Sequence, residues 1–419
     1  MLLGLDVGGT HTDVVLIDEN GIAASTKVIT RKDDLPASIN EGIEGVLKGV
    51  EVSAISRVNL STTLSTNAII EGKSERTGVI VTAGPGIEQE NFMIGKDFHR
   101  VRGALDHRGT ETQALDGRGL ETAVKELKKA GIKTAAAVGK FSTRNPLHEN
   151  TITERLKAAM DFVAAGHTLS GRLNFPRRIV TAYYNAAVWR VYNGFAESIE
   201  KSMRQKGISA AINILKADGG TIPLAMSRNL PVETILSGPA ASVMGIIALC
   251  DIHDDSVILD IGGTTTDIAV FASGTPLIEP DGIDIAGRST LVRALKTRSI
   301  GIGGDSAIEV KDGVITAGPV RRGPAMADGG TVPALIDAFN YIGADPHGDI
   351  EASKRGIDGL SAAQGLNAAV LARGAVDYGV ARIVDEVNEL LGEINARPVY
   401  TIHELLEGVT VQPRAVYCM

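Results

Sequence analysis

One glycine-containing motif occurs twice in this sequence, at two distant places. Residues 6–13 read D-V-G-G-T-H-T-D and residues 260–267 read D-I-G-G-T-T-T-D, here termed loop 1 and loop 2. An apolar run precedes the first Asp of each copy, and a second apolar run follows the last Asp. This pattern predicts a strand, a tight glycine turn and a second strand at both places. A single copy is more often a plain hairpin turn, whereas two copies indicate a common purpose.

The residues of the two turns suit phosphate binding. Glycine adopts backbone angles that are closed to other residues, and it lets the main chain approach a ligand closely. Successive backbone N–H groups then form a concavity that binds anions, and threonine hydroxyls add neutral donors. The predicted phosphate contacts are Gly8, Gly9, Thr10 and Thr12 in loop 1 and Gly262, Gly263, Thr264 and Thr265 in loop 2.

Each loop also begins and ends with an aspartate. Asp6 and Asp260 would repel phosphate directly, so we interpret them as ligands of a Mg²⁺–water cluster or as groups that orient an attacking water. Asp13 and Asp267 are either supporting carboxylates of the same site or structural residues that close the hairpins. The sequence has no P-loop motif, and a strand rather than a helix follows the glycines, which excludes a dinucleotide fingerprint.

The two motifs resemble the phosphate loops of the actin, hexokinase and heat-shock-chaperone ATPase superfamily. Within it, the chain most resembles the A-type (ATPase) subunits of the hydantoinase and 5-oxoprolinase family. Leu60 and Ser61 stand where that family usually has His-Gly. The other matching segments, in order, are T-T-L-S-T-N-A-I-I-E at 62–71, F-S-T-R-N-P-L-H-E at 141–149, S-G-P-A at 237–240 and I-G-I-G-G-D-S at 300–306.

This resemblance implies an α/β, two-lobed actin-like ATPase fold, with ribonuclease-H-like lobes around an interlobe nucleotide cleft. Gly303 and Gly304 are then expected to bring backbone near the nucleotide, and Asp218–Gly220 to line the cleft. Residues 415–419 look like the strand that precedes the adenosine loop, so the chain is expected to lack that loop. The implied divisions are 1–170 for the N-terminal part of the first lobe, 171–250 for its remainder and the connecting helix, and 251–419 for the second lobe.

The resemblance also implies a function. It is ATP-dependent hydrolysis of a cyclic amide of the hydantoin or 5-oxoproline type, in which the γ-phosphate is transferred to the amide oxygen. ATP and Mg²⁺ are the implied cofactors, a B-type hydantoinase/oxoprolinase subunit is the implied partner, and the chain could self-associate. The alternatives are a subunit of an ATP-dependent ketone carboxylase, a small-molecule kinase and a non-catalytic, nucleotide-binding regulatory module.

The composition of the chain excludes several other classes of protein. A net charge of −8 argues against a general nucleic-acid binder, and two cysteines in 419 residues cannot build a disulfide framework or a cysteine metal site. No apolar run is long enough to span a membrane, and no leader precedes the first strand, so we expect a cytoplasmic protein. Hydrophobic spacing predicts a long helix over 177–204, a helix or helix pair over 361–395 and a short helix over 399–407.

Overall fold

The chain folds into two compact units, each of which contains one of the two loops. The computed structural model describes residues 1–31, 33–344, 346–397, 399–402, 405–406 and 410–418. Unit 1 consists of Met1–Ala241 and Glu279–Ala294, and unit 2 of Ser242–Ile278 and Leu295–Met419. Helix Ser237–Leu249 contains the boundary at Ala241.

The first sheet of unit 1 carries loop 1. Its strands, in spatial order, are Thr221–Pro223, Ala211–Leu215, Arg57–Thr62, Leu2–Val7, His11–Asp18 and Gly21–Ile29. The three central strands Ala211–Leu215, Arg57–Thr62 and Leu2–Val7 run parallel. Alternation along Leu2–Val7 buries one side of the sheet and leaves Asp6 on the other. Helix Leu35–Val46 and the second half of a long helix cover the buried side.

The second sheet of unit 1 is entirely parallel. Its strands, in spatial order, are Phe162–Ala165, Thr134–Gly139, Thr77–Thr82 and Asp97–Arg100. The inserted segment Glu279–Ala294 belongs to this unit because Ile283, Ile285 and Val292 are buried in the same core. The other short strands of the unit are Ala104–Leu105, Glu111–Gln113, Asp284–Ile285 and Arg288–Ser289.

The helices of unit 1 connect and cover these two sheets. The longest, Phe175–Gln205, begins where the Asn174 side chain accepts from the backbone N–H of Arg177, and Pro176 fits its first turn. The remaining α-helices are Leu35–Val46, Leu64–Ile70, Gly117–Lys129, Leu147–Lys157, Gly166–Leu169 and Leu224–Ser227, with 3-10 helices at Val52–Ala54, Gln89–Asn91 and Pro231–Thr234.

Unit 2 is built on one sheet that carries loop 2. Its strands, in spatial order, are Thr275–Pro276, Thr266–Ala272, Ser256–Ile261 and Ala415–Cys418, and Thr297–Ile300 also pairs with Thr266–Ala272. Its helices are Leu335–Ile342, Ile350–Gln364 and Ala368–Asn395, with a 3-10 helix at Met326–Asp328. Ser306–Lys311 and Val314–Arg321 form a hairpin, Val399–Tyr400 pairs with Leu405–Leu406, and Ile278–Glu279 pairs with Ala294–Leu295.

Most local predictions hold, and one is wrong. Both glycine motifs are hairpin turns, the long helix is present, and the 361–395 pattern spans the end of Ile350–Gln364 and all of Ala368–Asn395. The short helix expected over 399–407 is instead an antiparallel pair of strands, while residues 403–404 and 407 lie outside the described residues. Val399 is buried in the core of unit 2, and β-branched and aromatic residues favour a half-buried strand at this point. None of the helices that the structure describes is long and apolar enough to cross a membrane.

Candidate functional site

Loop 1 is a tight turn that presents adjacent backbone donors. The N–H of Gly8 donates to the carbonyl of His11 at 3.0 Å, which closes the turn. The N–H groups of Gly9 and Thr10 have no hydrogen-bond acceptor among the described residues, and Thr10 is exposed. Two consecutive amides without an acceptor among the described residues can bind a phosphate oxygen.

Loop 2 repeats this geometry in the other unit. The N–H of Gly262 donates to the carbonyl of Thr265 at 2.9 Å, in the position that Gly8 and His11 occupy in loop 1. The amides of Gly263 and Thr264 likewise have no acceptor within the described ranges, and both residues are exposed. The two loops therefore share the same turn hydrogen bond as well as the same sequence motif.

A serine hydroxyl holds the first aspartate of each loop. Ser61 donates to a carboxylate oxygen of Asp6, which lies opposite it in the parallel pairing of their strands. Ser242, on helix Ser237–Leu249, donates to a carboxylate oxygen of Asp260. The pairing of these serines with the aspartates was not predicted from the sequence, because neither serine is near its aspartate in the chain. The position of Ser61 in the family motif is the only sequence signal that pointed to this spot.

The threonines of the loops fall into two groups. Thr10 and Thr264 are exposed, and Thr265 is partly exposed. Thr12, in contrast, is fully buried, and its hydroxyl is 2.9 Å from the hydroxyl of Thr30. In this structure Thr12 therefore stabilises the hairpin through a buried hydrogen bond and does not face the solvent side of the turn.

The closing aspartates have different surroundings. Asp6 faces Asp13 and Asp260 faces Asp267 across their hairpins, so each pair lies on one face of its sheet. Asp13 is half exposed and forms a 3.3 Å ion pair with Lys27. Burial raises the pKa of Asp267, and the neighbouring Asp260 carboxylate adds to the rise, while a hydrogen bond with Ser299 opposes it.

Gly303 and Gly304 pack directly against loop 2. Gly304 donates its N–H to the carbonyl of Gly262 at 3.0 Å, and Asp305 donates its N–H to the carbonyl of Gly263 at 2.6 Å. A Cβ atom on Gly303 would lie only 2.5 Å from the Gly262 carbonyl oxygen. The segment thus packs against loop 2, and close backbone approach explains the glycine at position 303.

Asp305 links loop 2 to a guanidinium group. Arg321 donates from Nε to one oxygen of Asp305 at 3.0 Å, and its Nη2 lies 2.7 Å from the same oxygen as an ion pair. The N–H of Ala325 donates to the other oxygen at 2.9 Å. A Cβ atom on Gly263 would lie 2.8 Å from that first oxygen, so the ion pair borders the loop. Asp305 therefore connects loop 2 to Arg321 and to the backbone at Ala325.

Loop 1 is bordered by the start of helix Leu64–Ile70. A Cβ atom on Gly9 would lie 3.0 Å from the side-chain nitrogen of Asn67, which in turn donates to the hydroxyl of Thr63 at 3.2 Å. The N–H of Thr63 donates to the carbonyl of Val7 at 3.3 Å. The T-N-A-I-I-E segment singled out in the sequence therefore lies beside loop 1.

The donor set fits a magnesium ion that is held partly by water and phosphate. Among the residues that the structure describes, no three His, Cys, Asp or Glu side chains cluster as a metal site. Mg²⁺ in phosphate-transfer sites needs only one or two carboxylates, because waters and phosphate oxygens complete its octahedron. Asp6 in unit 1 and Asp260 in unit 2 each offer one carboxylate beside a pair of backbone donors, which is the kind of ligand that such an ion takes. A separate cavity of about 1000 Å³ in unit 1, lined by Glu111, His148 and Arg155 among others, includes neither loop.

Two solved structures share this architecture. The nucleotide-free structure of acetone carboxylase superposes with a TM-score of 0.74 at 20% identity, covering 94% of this chain and 63% of that one. The ATP-dependent caprolactamase from Pseudomonas jessenii superposes with a TM-score of 0.74 at 22% identity, covering 93% of this chain and 63% of that one. These matches define the fold class and confirm the expected actin-like α/β fold with two lobes.

The sequence comparisons define the family. The Hydantoinase/oxoprolinase family model matches residues 178–397, and the model of the Hydantoinase/oxoprolinase N-terminal region matches residues 2–160. The chain therefore belongs to the hydantoinase/oxoprolinase family, as the motifs indicated. A curated relative, caprolactamase subunit alpha of Pseudomonas jessenii, is 26% identical over 377 residues. That alignment covers 81% of this chain and 54% of the relative, so the chain spans about half of the relative's length.

Proposed function

We propose that the chain is the ATP-using part of an enzyme that hydrolyses a cyclic amide. The observation that carries this proposal is the pair of loops, each with two adjacent amide donors and a serine-anchored aspartate. Membership of the hydantoinase/oxoprolinase family supports it, as does the similarity to a caprolactamase subunit. In the reaction, the amide oxygen attacks the γ-phosphorus of ATP and ADP leaves, which makes the ring carbon electrophilic. Water then adds to that carbon, and the ring C–N bond breaks with release of phosphate.

Each part of the loops has a role in this proposal. The amides of Gly9, Thr10, Gly263 and Thr264 donate to phosphate oxygens and stabilise the charge that develops on them during transfer. Because Ser61 and Ser242 fix the orientation of their aspartates, little reorganisation is needed when the nucleotide binds.

Asp6 and Asp260 would hold Mg²⁺ through its waters. When bound, the ion would neutralise part of the negative charge of the phosphates. Asp13 and Asp267 support the same faces of the hairpins, and Gly303 and Gly304 keep loop 2 in place.

The partner and the location are also proposals. The relative matched above is named as a subunit, and we propose that this chain acts with a B-type hydantoinase/oxoprolinase subunit. We place the assembly in the cytoplasm, in keeping with the composition of the chain.

A second candidate is ATP-dependent carboxylation of a ketone. The structural match to acetone carboxylase favours it, because the same fold there belongs to an enzyme that carboxylates acetone. The products separate the two functions: a ring-opened amino acid indicates hydrolysis, and a carboxylated ketone in the presence of bicarbonate indicates carboxylation.

The deciding experiment is titration of the purified chain with Mg²⁺-ATP, repeated with Asp6→Asn and Asp260→Asn. We expect both substitutions to weaken binding and to abolish turnover, with circular dichroism unchanged. Asp18→Asn, at the far end of the same hairpin strand as Asp13, is the matched control and should bind normally. Wild-type affinity and ATPase activity in both loop variants would refute the proposed site.

A further inference from the structure

A second polar cluster lies on the same sheet edge as loop 1. Because Leu2–Val7, Arg57–Thr62 and Ala211–Leu215 are parallel, their carboxyl ends meet at one edge, where ligands of open α/β sheets bind. Lys216 follows the third of these strands directly. Two strand spacings of about 4.8 Å place it on the order of 10 Å from loop 1.

The cluster consists of Lys216, Asp218 and Glu233. The ammonium of Lys216 is 3.0 Å from a carboxylate oxygen of Asp218 and 3.5 Å from one of Glu233. The three side chains are only 21%, 18% and 22% exposed. Burial raises the pKa of Glu233 and Lys216 opposes that rise. Charged side chains on a surface loop are usually well exposed, so three of them buried together are unusual for an ordinary solvated loop.

Hydrogen bonds tie this cluster to the residues beside loop 1. The N–H of Ala217 donates to the carbonyl of Glu233 at 3.1 Å. Next along the chain, Thr234 donates to the hydroxyl of Ser65 at 3.4 Å, and the N–H of Leu236 donates to the hydroxyl of Thr66 at 3.0 Å. Ser65 and Thr66 belong to the helix that borders loop 1, so hydrogen bonds connect the cluster to the element beside the loop.

The Lys216–Asp218 pair retains unused hydrogen-bonding capacity. A lysine ammonium has three N–H donors, of which two face the carboxylates of Asp218 and Glu233. Each oxygen of Asp218 accepts one bond, from Lys216 or from the N–H of Gly220, and retains a further lone pair. A donor and an acceptor are thus available side by side.

A ring amide has the complementary pattern. In a small ring the amide is locked in the cis form, so its C=O and N–H lie on the same edge of the molecule. In an open-chain secondary amide, which is trans, these groups point in opposite directions. We propose that Lys216 and Asp218 recognise the cyclic amide substrate, with Lys216 donating to the carbonyl oxygen and Asp218 accepting from the ring N–H. This inference rests on the proposed function and names its substrate-binding residues.

The charge of the cluster narrows the substrate class further. The ammonium of Lys216 is already matched by two carboxyl groups, and the further cation that acts on Glu233 is the exposed Arg293. The cluster therefore has no surplus positive charge with which to bind a carboxylate on the ring. We expect a neutral lactam to bind better than the same ring carrying a carboxylate.

Matched small molecules test both points in the full chain with its partner subunit. The probes are 2-pyrrolidone, 5-oxoproline, which is the same ring with a carboxylate, and N-methyl-2-pyrrolidone, which lacks the N–H. Binding is measured by calorimetry with a non-hydrolysable ATP analogue present. We expect 2-pyrrolidone to bind about tenfold more tightly than N-methyl-2-pyrrolidone, since a lost hydrogen bond to a charged group is worth roughly that factor. We also expect it to bind more tightly than 5-oxoproline, because the cluster has no surplus positive charge to compensate the added carboxylate.

Variants assign the effect to residues. Lys216→Met should weaken 2-pyrrolidone about tenfold, and Asp218→Asn should reduce the difference between 2-pyrrolidone and its N-methyl analogue. Lys206→Met is the matched control, because Lys206 is similarly half-buried and is ion-paired with Glu44. It should leave the affinity for all three probes unchanged.

Mg²⁺-ATP titration separates the two levels of the proposal. If wild-type chain binds Mg²⁺-ATP but prefers 5-oxoproline, or does not distinguish the N-methyl ring, the cluster is not the amide site and the inference is refuted. Lys216→Met with unchanged probe binding refutes it as well. Failure of the wild type to bind Mg²⁺-ATP refutes the proposed function itself.

Discussion

Replacing Gly303 by alanine should disturb loop 2 while leaving the rest of the chain intact. The added Cβ would lie 2.5 Å from the Gly262 carbonyl oxygen and 2.7 Å from the carbonyl carbon and oxygen of Gly263. Real Cβ contacts are not this short, and the neighbouring atoms are backbone, so the segment or the loop must move. Overpacking of this kind costs about 1–3 kcal/mol.

The neighbouring glycine provides the control. A Cβ atom on Gly304 would meet only the Ile336 Cβ at 3.7 Å, an ordinary van der Waals contact. Neither glycine has a left-handed φ, so backbone strain does not distinguish the two positions. Gly304→Ala should therefore change stability by no more than about 0.5 kcal/mol, since it resembles an ordinary surface substitution.

Two assays read the outcome of Gly303→Ala. Calorimetric melting should show the transition of unit 2 lowered by on the order of 2–10 °C, the shift expected for this loss in a domain of that size. Titration with Mg²⁺-ATP should show affinity reduced about tenfold or more, because the displaced amides of loop 2 no longer point at the phosphate. If Gly303→Ala and Gly304→Ala match in both melting and affinity, loop 2 does not depend on this packing.

Three further outcomes follow from the contacts around the loops. Ser61→Ala and Ser242→Ala each remove a hydrogen bond to the first aspartate of a loop, worth about 1.5–3 kcal/mol for a charged acceptor, so ATPase turnover should fall at least about tenfold in each. Unaltered turnover in both would show that the serines do not position these carboxylates. Because burial raises the pKa of Asp267 above its ordinary 3.8, the stabilisation contributed by its protonated form is complete below pH 3.8 and is lost as the pH rises through the folded-state pKa. Melting temperatures of wild type and Asp267→Asn should thus diverge in favour of the variant as the pH rises above 3.8, and a difference that is flat with pH would contradict this. Arg321→Lys keeps the charge but loses the Nε hydrogen bond to Asp305, so Mg²⁺-ATP affinity should fall about two- to fivefold, as calorimetry will show.

The sequence predicted what depends on local pattern. The hairpins of loop 1 and loop 2 follow from apolar runs on either side of a glycine pair, and the long helix predicted over 177–204 follows from its hydrophobic spacing. The family follows from the order of the motifs. These features need only neighbouring residues, or a spacing that is visible in the printed chain.

Contacts between residues that are far apart in the chain could not be predicted from the sequence. Ser61 meets Asp6 only because two parallel strands pair in one register, and nothing in either segment fixes that register alone. Thr12 was expected on phosphate because it follows the glycines, yet strand alternation turns it to the core, where Thr30 meets it. The strand at Val399 replaced a predicted helix for a similar reason, since burial in the core decided between two weak local preferences.

The two loops show how neighbours can give one motif two different properties. The last aspartate of each motif lies on a strand that pairs with a further strand, and the residue opposite it differs: Lys27 faces Asp13, whereas Ser299 faces Asp267. An ammonium compensates the charge of Asp13 at a half-exposed position. Burial instead raises the pKa of Asp267, and the hydrogen bond with Ser299 opposes the rise without cancelling it, so this carboxyl group retains its proton to higher pH. Asp267→Asn keeps a neutral hydrogen-bonding side chain of the same size at this buried position, whereas Asp267→Glu places a longer carboxyl group beside Asp260, so the asparagine variant should retain more ATP affinity than the glutamate variant, a ranking that titration can reverse or uphold.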